Sequence, residues 1–220
     1  MTHFGTVDVI AIDGPSGTGK STVARAVARG LGWRYLDTGA MYRAVTWAVL
    51  RGGSPVADAV AVARRCPVSV GTDPAAEDIL VGEKHVEAEI RSAEVTAAVS
   101  AVSAVPKLRA LLVEAQRALI GDGRIVVEGR DIGTVVVPGA RLKIFLTASA
   151  DARARRRALE AGGAEADVAE AMRRRDSFDS GREASPLRPA LHAVTVDTTE
   201  MTQDEVVEHI LSLARIVVPR

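Results

Sequence analysis

Aromatic side chains are scarce in this chain of 220 residues: tryptophan, tyrosine and phenylalanine together make up 3%. A surface for single-stranded nucleic acid stacks bases on aromatics interleaved with basic residues, and too few are present here. Net charge is missing as well, because 28 basic residues are balanced by 28 acidic ones. Without an overall positive field, a DNA- or RNA-binding role is disfavoured. Lysine occurs only at positions 20, 84, 107 and 143, so arginine carries most of the positive charge, and its planar fork suits bidentate contacts to phosphate. The single cysteine, Cys66, has no partner for an internal disulfide and, between Arg65 and Pro67, reads as a packing thiol. Every apolar run is interrupted by charge well short of the roughly 20 residues of a membrane span. The opening residues Met1 to Gly5 lack the pattern of a secretion signal. The expectation is a cytoplasmic protein, monomeric, with neither nucleic acid nor membrane as a partner.

What is present is a hydrophobic content of 47%, enough in 220 residues for one substantial core carrying insertions. The most specific feature is Gly14-Pro15-Ser16-Gly17-Thr18-Gly19-Lys20-Ser21, which satisfies G-x-x-x-x-G-K-[ST] at each fixed position. It follows the apolar run 7–12, which reads as a buried strand. It precedes Thr22 and a stretch whose apolar residues Val23, Ala24, Ala26, Val27 and Leu31 have helical spacing. Strand, glycine loop and helix in that order make an anion cradle. Glycines let backbone N–H groups point inward, and the first helical turn adds its positive dipole end. Residues 14–22 are expected to hold a nucleoside triphosphate, with Lys20 reaching the β- and γ-phosphates and the Ser21 hydroxyl ligating Mg²⁺.

Five apolar runs of strand length, 7–12, 34–36, 125–127, 142–146 and 193–196, alternate with helical patterns, which argues for parallel βαβ units. Helices are expected from Thr22, over 40–50, over 108–119 and over 202–214, the last opened by a capping box of Thr202 and Glu205. Two regions fall outside the alternation. Val68-Ser69-Val70, Ile79-Leu80-Val81 and Lys84-His85-Val86, with the turn Gly82-Glu83, read as a small antiparallel insert. Residues 150–182 form an arginine-dense helical pair broken at Gly162-Gly163, which composition alone reads as a solvated charged face.

A phosphate loop serves motors, switches and transporters too, so the acceptor must be sought elsewhere. Leu36-Asp37-Thr38-Gly39-Ala40-Met41-Tyr42-Arg43 follows the second strand and opens the next helix, at the carboxyl end of the sheet. Thr38 and Arg43 could face a ligand there, or serve as an N-cap and an exposed helix arginine. Glu128-Gly129-Arg130-Asp131-Ile132-Gly133-Thr134 ends another strand, where an acidic residue at the tip organises Mg²⁺, usually through its waters. Glu128 takes that role. Arg130 and Asp131 are expected in an exposed turn, where a charged pair is worth little as a surface salt bridge.

These two motifs with the phosphate loop resemble those of the bacterial cytidylate kinases, a family of P-loop nucleoside monophosphate kinases. The likeness extends over nearly the whole chain, including Glu89-Ile90-Arg91 and Arg175-Asp176-Ser177-Phe178-Asp179-Ser180-Gly181-Arg182 before Ser185-Pro186-Leu187. It implies an α/β fold: a P-loop kinase core with a five-stranded parallel sheet flanked by helices, a small β-containing insert for the nucleoside monophosphate, and a helical lid. One domain would span residues 1–220, with the insert at about 52–104 and the lid at about 151–182. The implied reaction is transfer of the ATP γ-phosphoryl group to CMP or dCMP, with Mg²⁺. The implied acceptor-phosphate ligands are Arg43, Arg130 and Arg182. Ser100, Arg109 and Asp131 would face the base, and Thr38, Arg175 and Asp179 the sugar and phosphate, with Asp37 in support.

Cytosine offers an N4 amino donor with N3 and O2 acceptors, so a carboxylate or hydroxyl at N4 and a guanidinium at N3 and O2 complement it. Uracil reverses that polarity at positions 3 and 4 and leaves buried groups unpaired. The chain departs from the family in carrying Glu128 where Asp is frequent, and Thr38 where some members have Ser. The arginine-dense pair, with Arg153, Arg155, Arg156, Arg157, Arg173, Arg174 and Arg175, becomes a lid that closes over ATP and excludes water. Lys20, Arg130, Asp131, Arg175 and Arg157 form the expected catalytic set, Arg157 being the lid arginine assigned to the γ-phosphate. The competing enzyme reading is another small P-loop kinase, such as a UMP/CMP kinase. A GTP-dependent switch would need an N-K-x-D motif, and the sequence has none.

Overall fold

The computed structural model describes residues 7–161, 165–181 and 185–217. In chain order the elements are β1 (Val7–Asp13), α1 (Lys20–Leu31), β2 (Arg34–Asp37), α2 (Thr38–Arg51), α3 (Ala59–Arg65), β3 (Val68–Val70), β4 (Ile79–Val81), β5 (Lys84–His85), α4 (Ala93–Ser103), α5 (Pro106–Ile120), β6 (Ile125–Gly129), β7 (Ala140–Thr147), α6 (Ala150–Ala161), α7 (Glu165–Gly181), β8 (Val194–Asp197) and α8 (Gln203–Val217). They pack as two compact units, one of residues up to Tyr35 together with those from Asp122 onward, the other of Leu36–Gly121.

The first unit is organised by a parallel sheet of five strands in the order β2-β6-β1-β7-β8, the five-stranded α/β arrangement expected from the sequence. β1 pairs in parallel with β6 and β7, and β7 with β8. The chain skips a place between β1 and β2 that β6 later fills, and then crosses to the other side of β1. A sheet built this way has its ligand crevice at the carboxyl ends of the strands flanking the reversal. Asp13 ends β1 there, in register with Gly129 of β6, one residue after Ile12 pairs with Glu128. Val9, Ile10, Ala11 and Ile12 are fully buried because the sheet is covered on both faces. Ile10 and Ile12 share a core with Val23 and Val27 of α1, Leu146 of β7 and Ile210 of α8.

α1 is bounded by glycines in the left-handed region, Gly19 before it and Gly32 after it, and the Gly32 N–H closes back on Ala28 and Arg29. α8 opens with the expected capping box: the Thr202 amide donates to Glu205 Oε2 at 2.8 Å and the Glu205 amide to Thr202 Oγ1 at 3.3 Å. α6 and α7 form the arginine-dense pair.

In the second unit, β3, β4 and β5 form the expected antiparallel sheet. α2 begins at Thr38 because the Asp37 carboxylate caps it, accepting from the Ala40 amide at 2.9 Å. Thr38 is therefore inside the helix and is not its N-cap. Two helices absent from the sequence reading, α3 and α4, lie in Ala- and Val-rich stretches. α4 packs on α2, and α3 on α5. No single described helix is long and apolar enough to cross a membrane, and α4 with α5, which pass only together, are bent by 100°.

Candidate active site

The phosphate loop leaves the carboxyl end of β1 and runs into α1. Gly14 has φ 151°, and a Cβ there would lie 2.3 Å from the Leu146 carbonyl oxygen, so only glycine lets the chain pass β7. Gly17 is likewise enclosed, by Met172 of α7 and the Arg153 backbone of α6. Lys20 is the first residue of α1, and its ammonium donates to the Pro15 carbonyl at 2.6 Å, which the Thr18 hydroxyl also reaches at 3.1 Å. Lys20 is 7% exposed. Burial, reinforced by Arg130 and then Arg175, lowers its pKa from the ordinary value to about 7, against the pull of Glu128 and Asp13. The buried lysine therefore sits in a field that favours an added anion.

Asp13 organises the turn after β6. Its Oδ1 accepts from the Ile132 amide at 2.9 Å and its Oδ2 from the Gly133 amide at 2.8 Å. Burial raises its pKa to about 6, partly opposed by these two amides, while Asp131 adds to the rise and Lys20 draws it back. The expectation of an exposed turn at Arg130 and Asp131 is corrected here: Asp131 is 5% exposed and Arg130 is half-buried. The reason is that Asp13 draws the amides of Ile132 and Gly133 inward, at the start of a π-helical turn over Ile132–Val136. The Asp131 carbonyl accepts from Val135 at 2.8 Å and Val136 at 3.2 Å. Arg130 then reaches α7, its Nε donating to Asp179 Oδ2 at 3.3 Å, with Arg175 Nε 3.9 Å from the same oxygen.

Glu128, at the tip of β6, is 3% exposed, and its Oε1 accepts from the Tyr35 hydroxyl at 2.5 Å. Ser21 and Thr22, in the first turn of α1, are exposed. A hydroxyl and a buried carboxylate are hard oxygen donors, the chemistry that Mg²⁺ selects, so the residues present fit that ion.

Of the arginines on α6 and α7, the structure sets Arg153 on the phosphate loop. Its Nη1 donates to the Ser16 carbonyl at 3.2 Å and pairs with Asp176, while its Nε donates to the Ala148 carbonyl at 3.2 Å. Arg156 is tied to the hydroxyl and carbonyl of Thr198, and Arg173 and Arg174 pair with Glu170. Arg157 is half-buried one turn beyond Arg153. Arg182 lies outside the described residues.

The second unit holds the remaining expected residues. Arg43 of α2 donates to the Ile90 carbonyl at 2.9 Å and the Thr96 hydroxyl at 3.0 Å, so it is an anchored side chain, not a surface one. Arg109 of α5 is 5% exposed, donates to the Ser103 carbonyl at 3.1 Å and sits over the Tyr42 ring at 5.2 Å. The Ser103 hydroxyl in turn donates to the Ser100 carbonyl at 3.0 Å. Thr38 is buried at the start of α2. Ser100 and Arg109 thus meet around Ser103, while Arg130, Asp131, Arg175 and Asp179 gather with Lys20 in the first unit.

A model of the cytidylate kinase family matches residues 10–216. The chain belongs to the cytidylate kinase family. It is similar to the cytidylate kinase of Nocardia farcinica (strain IFM 10152), 55% identical over 218 residues that cover 95% of this chain and 93% of the relative. It is 56% identical to the cytidylate kinase of Rhodococcus opacus (strain B4) over 212 residues, covering 92% and 93% of the two chains. Against the cytidylate kinase of Mycobacterium avium (strain 104) identity is 55% over 217 residues, covering 94% and 95%. Among solved structures, a gluconokinase from Sinorhizobium meliloti 1021 superposes with a TM-score of 0.52 at 16% identity, covering 97% of this chain and 95% of that one, a likeness of fold alone. In this cytidylate kinase family member, Asp13 and Tyr35 carry no role in the sequence analysis, Tyr42 appears there only within a motif, and Arg153 appears only as one of the lid arginines. Asp13 carried a signal, a charge ending an apolar strand directly before the first glycine of the loop.

Proposed function

We propose that the chain transfers the γ-phosphoryl group of ATP to CMP and dCMP, giving CDP and dCDP. The observation that carries this reading is the cluster of Lys20, Arg130 and Arg175 in the first unit, where burial and then the two guanidiniums hold the pKa of Lys20 at about 7 against the pull of Glu128 and Asp13. Such a cluster is completed by polyanions, and a cytidylate kinase brings two. The acceptor phosphate oxygen is already an anionic nucleophile, so an in-line transfer needs neither a strong base nor a covalent intermediate. Positioning and charge neutralisation supply the catalysis. Lys20, Arg130 and Arg175 offset the repulsion between the two nucleotides, and Asp13 fixes the turn that carries Arg130.

Residues 14–22 bind the ATP phosphates, and from the lid Arg153 and Arg157 add positive charge, Arg153 being already bonded to the loop at Ser16. Ser21 and Glu128 would hold Mg²⁺, Glu128 through water; when bound, the ion spreads the negative charge of the β- and γ-phosphates. Arg43, Arg130 and Arg182 take the acceptor phosphate, Thr38, Arg175 and Asp179 its sugar and phosphate, and Ser100, Arg109 and Asp131 the cytosine edge. The test is a set of steady-state rates with ATP, Mg²⁺ and CMP, dCMP, UMP or AMP. CMP and dCMP are expected to lead, and Lys20→Ala to lower turnover by orders of magnitude with the fold intact. Near-normal rates in Lys20→Ala, or a faster reaction with AMP, would refute the assignment.

A further inference from the structure

Glutamate has three side-chain torsions, one more than aspartate, so a carboxylate at a strand tip faces a defined direction only if something fixes it. At Glu128 the fixing group comes from β2: the Tyr35 hydroxyl donates to Oε1 at 2.5 Å, and both residues are 3% exposed. A hydroxyl-to-carboxylate bond of this length in a dry site is charge-assisted and about twice as strong as a neutral one. The tyrosine is itself immobile. Its ring belongs to the core that contains Trp33, Val126 and Val27, and the Arg25 guanidinium of α1 lies 4.9 Å from the ring centroid. The anchor is thus rigid on the ring side and directional on the hydroxyl side.

We propose that Tyr35 is a positioning residue for Mg²⁺ binding, its hydroxyl setting the direction in which the Glu128 carboxylate meets the water shell of the ion. This rests on the metal role assigned above to Glu128. It also fits the extra methylene, since the longer arm is pinned by the Tyr35 hydroxyl. The phenol acts only through Glu128 and touches no substrate.

The experiment is calorimetric titration of ATP with excess Mg²⁺ and with a chelator, in the wild type, Tyr35→Phe, Glu128→Asp and the double variant. The quantity read is the gain in ATP affinity on adding Mg²⁺. Tyr35→Phe is expected to leave metal-free affinity within about twofold and to cut the gain about tenfold, the worth of one hydrogen bond to a charged group. In the Glu128→Asp background the same change should do nothing further. An unaltered gain in Tyr35→Phe, equal losses with and without metal, or additive effects in the double variant would each overturn the proposal. Should Tyr35→Phe fail to fold, Glu128→Asp severs the same bond from the other side and must itself cut the gain. A Glu128→Gln variant separates the two claims: a retained gain overturns the metal role and this inference together, whereas a lost gain with no effect of Tyr35→Phe overturns this inference alone.

Discussion

Lys20 makes the binding of ATP a proton-coupled event. Its pKa of about 7, set by burial and then by Arg130 and Arg175, leaves it about 90% neutral at about pH 8 before any nucleotide is bound. A bound triphosphate brings negative charge to the ammonium and restores its pKa toward the ordinary value of 10.5. Binding at about pH 8 should therefore draw about 0.9 proton from solution, and about one at pH 9. The phosphate groups of ATP do not confuse the count, since their last ionisation, near 6, is complete in that range. The sign follows from linkage: a group whose pKa is low in the free protein and high in the complex takes up protons on binding. ATP affinity then falls roughly tenfold per pH unit above about 7. Calorimetry in buffers of differing ionisation enthalpy reads the proton count as the slope of observed enthalpy against that quantity. Lys20→Arg, charged throughout, should bind ATP with the slope abolished. A slope near zero in the wild type, or an unchanged slope in Lys20→Arg, would refute the reasoning.

Two further outcomes follow from the geometry of the first unit. Asp13→Asn replaces one acceptor by a donor that faces an amide N–H, so the turn carrying Arg130 and Asp131 should loosen and kcat/KM for CMP fall about ten- to a hundredfold; a CMP profile indistinguishable from the wild type would contradict this. Gly14→Ala puts a methyl 2.3 Å from the Leu146 oxygen at φ 151°, and should cost about 3 kcal/mol or more in denaturant titrations. A loss under about 1 kcal/mol would show that β7 gives way.

The strands of the main sheet were legible because a buried parallel strand is an apolar run, as in Ile10 to Ile12, and the phosphate loop because its glycines and lysine sit at fixed spacing. α3 and α4 were not. Ala59–Arg65 and Ala93–Ser103 mix alanine with β-branched valine, which blurs the helical period and mimics strand propensity. Among the site residues, identity was readable and environment was not. Asp131 looks like a turn residue in sequence, and its burial depends on Asp13, 118 positions away in the chain and brought to the same crevice only by strand pairing. Tyr35 reads as one more apolar strand position until β2 is set beside β6, where its hydroxyl meets Glu128. Arg153 and Arg157 stand one helical turn apart on α6, so spacing alone could not say which of them lies on Ser16.

The central claim, that the acceptor is a cytosine nucleotide, is tested most directly by competition. The chain, limiting ATP and Mg²⁺ are mixed with equimolar CMP and UMP, and the diphosphates are separated by chromatography. Because uracil leaves at least two buried partners mismatched, CDP should exceed UDP by about a hundredfold or more. Equal amounts of the two products, or more UDP than CDP, would contradict the account.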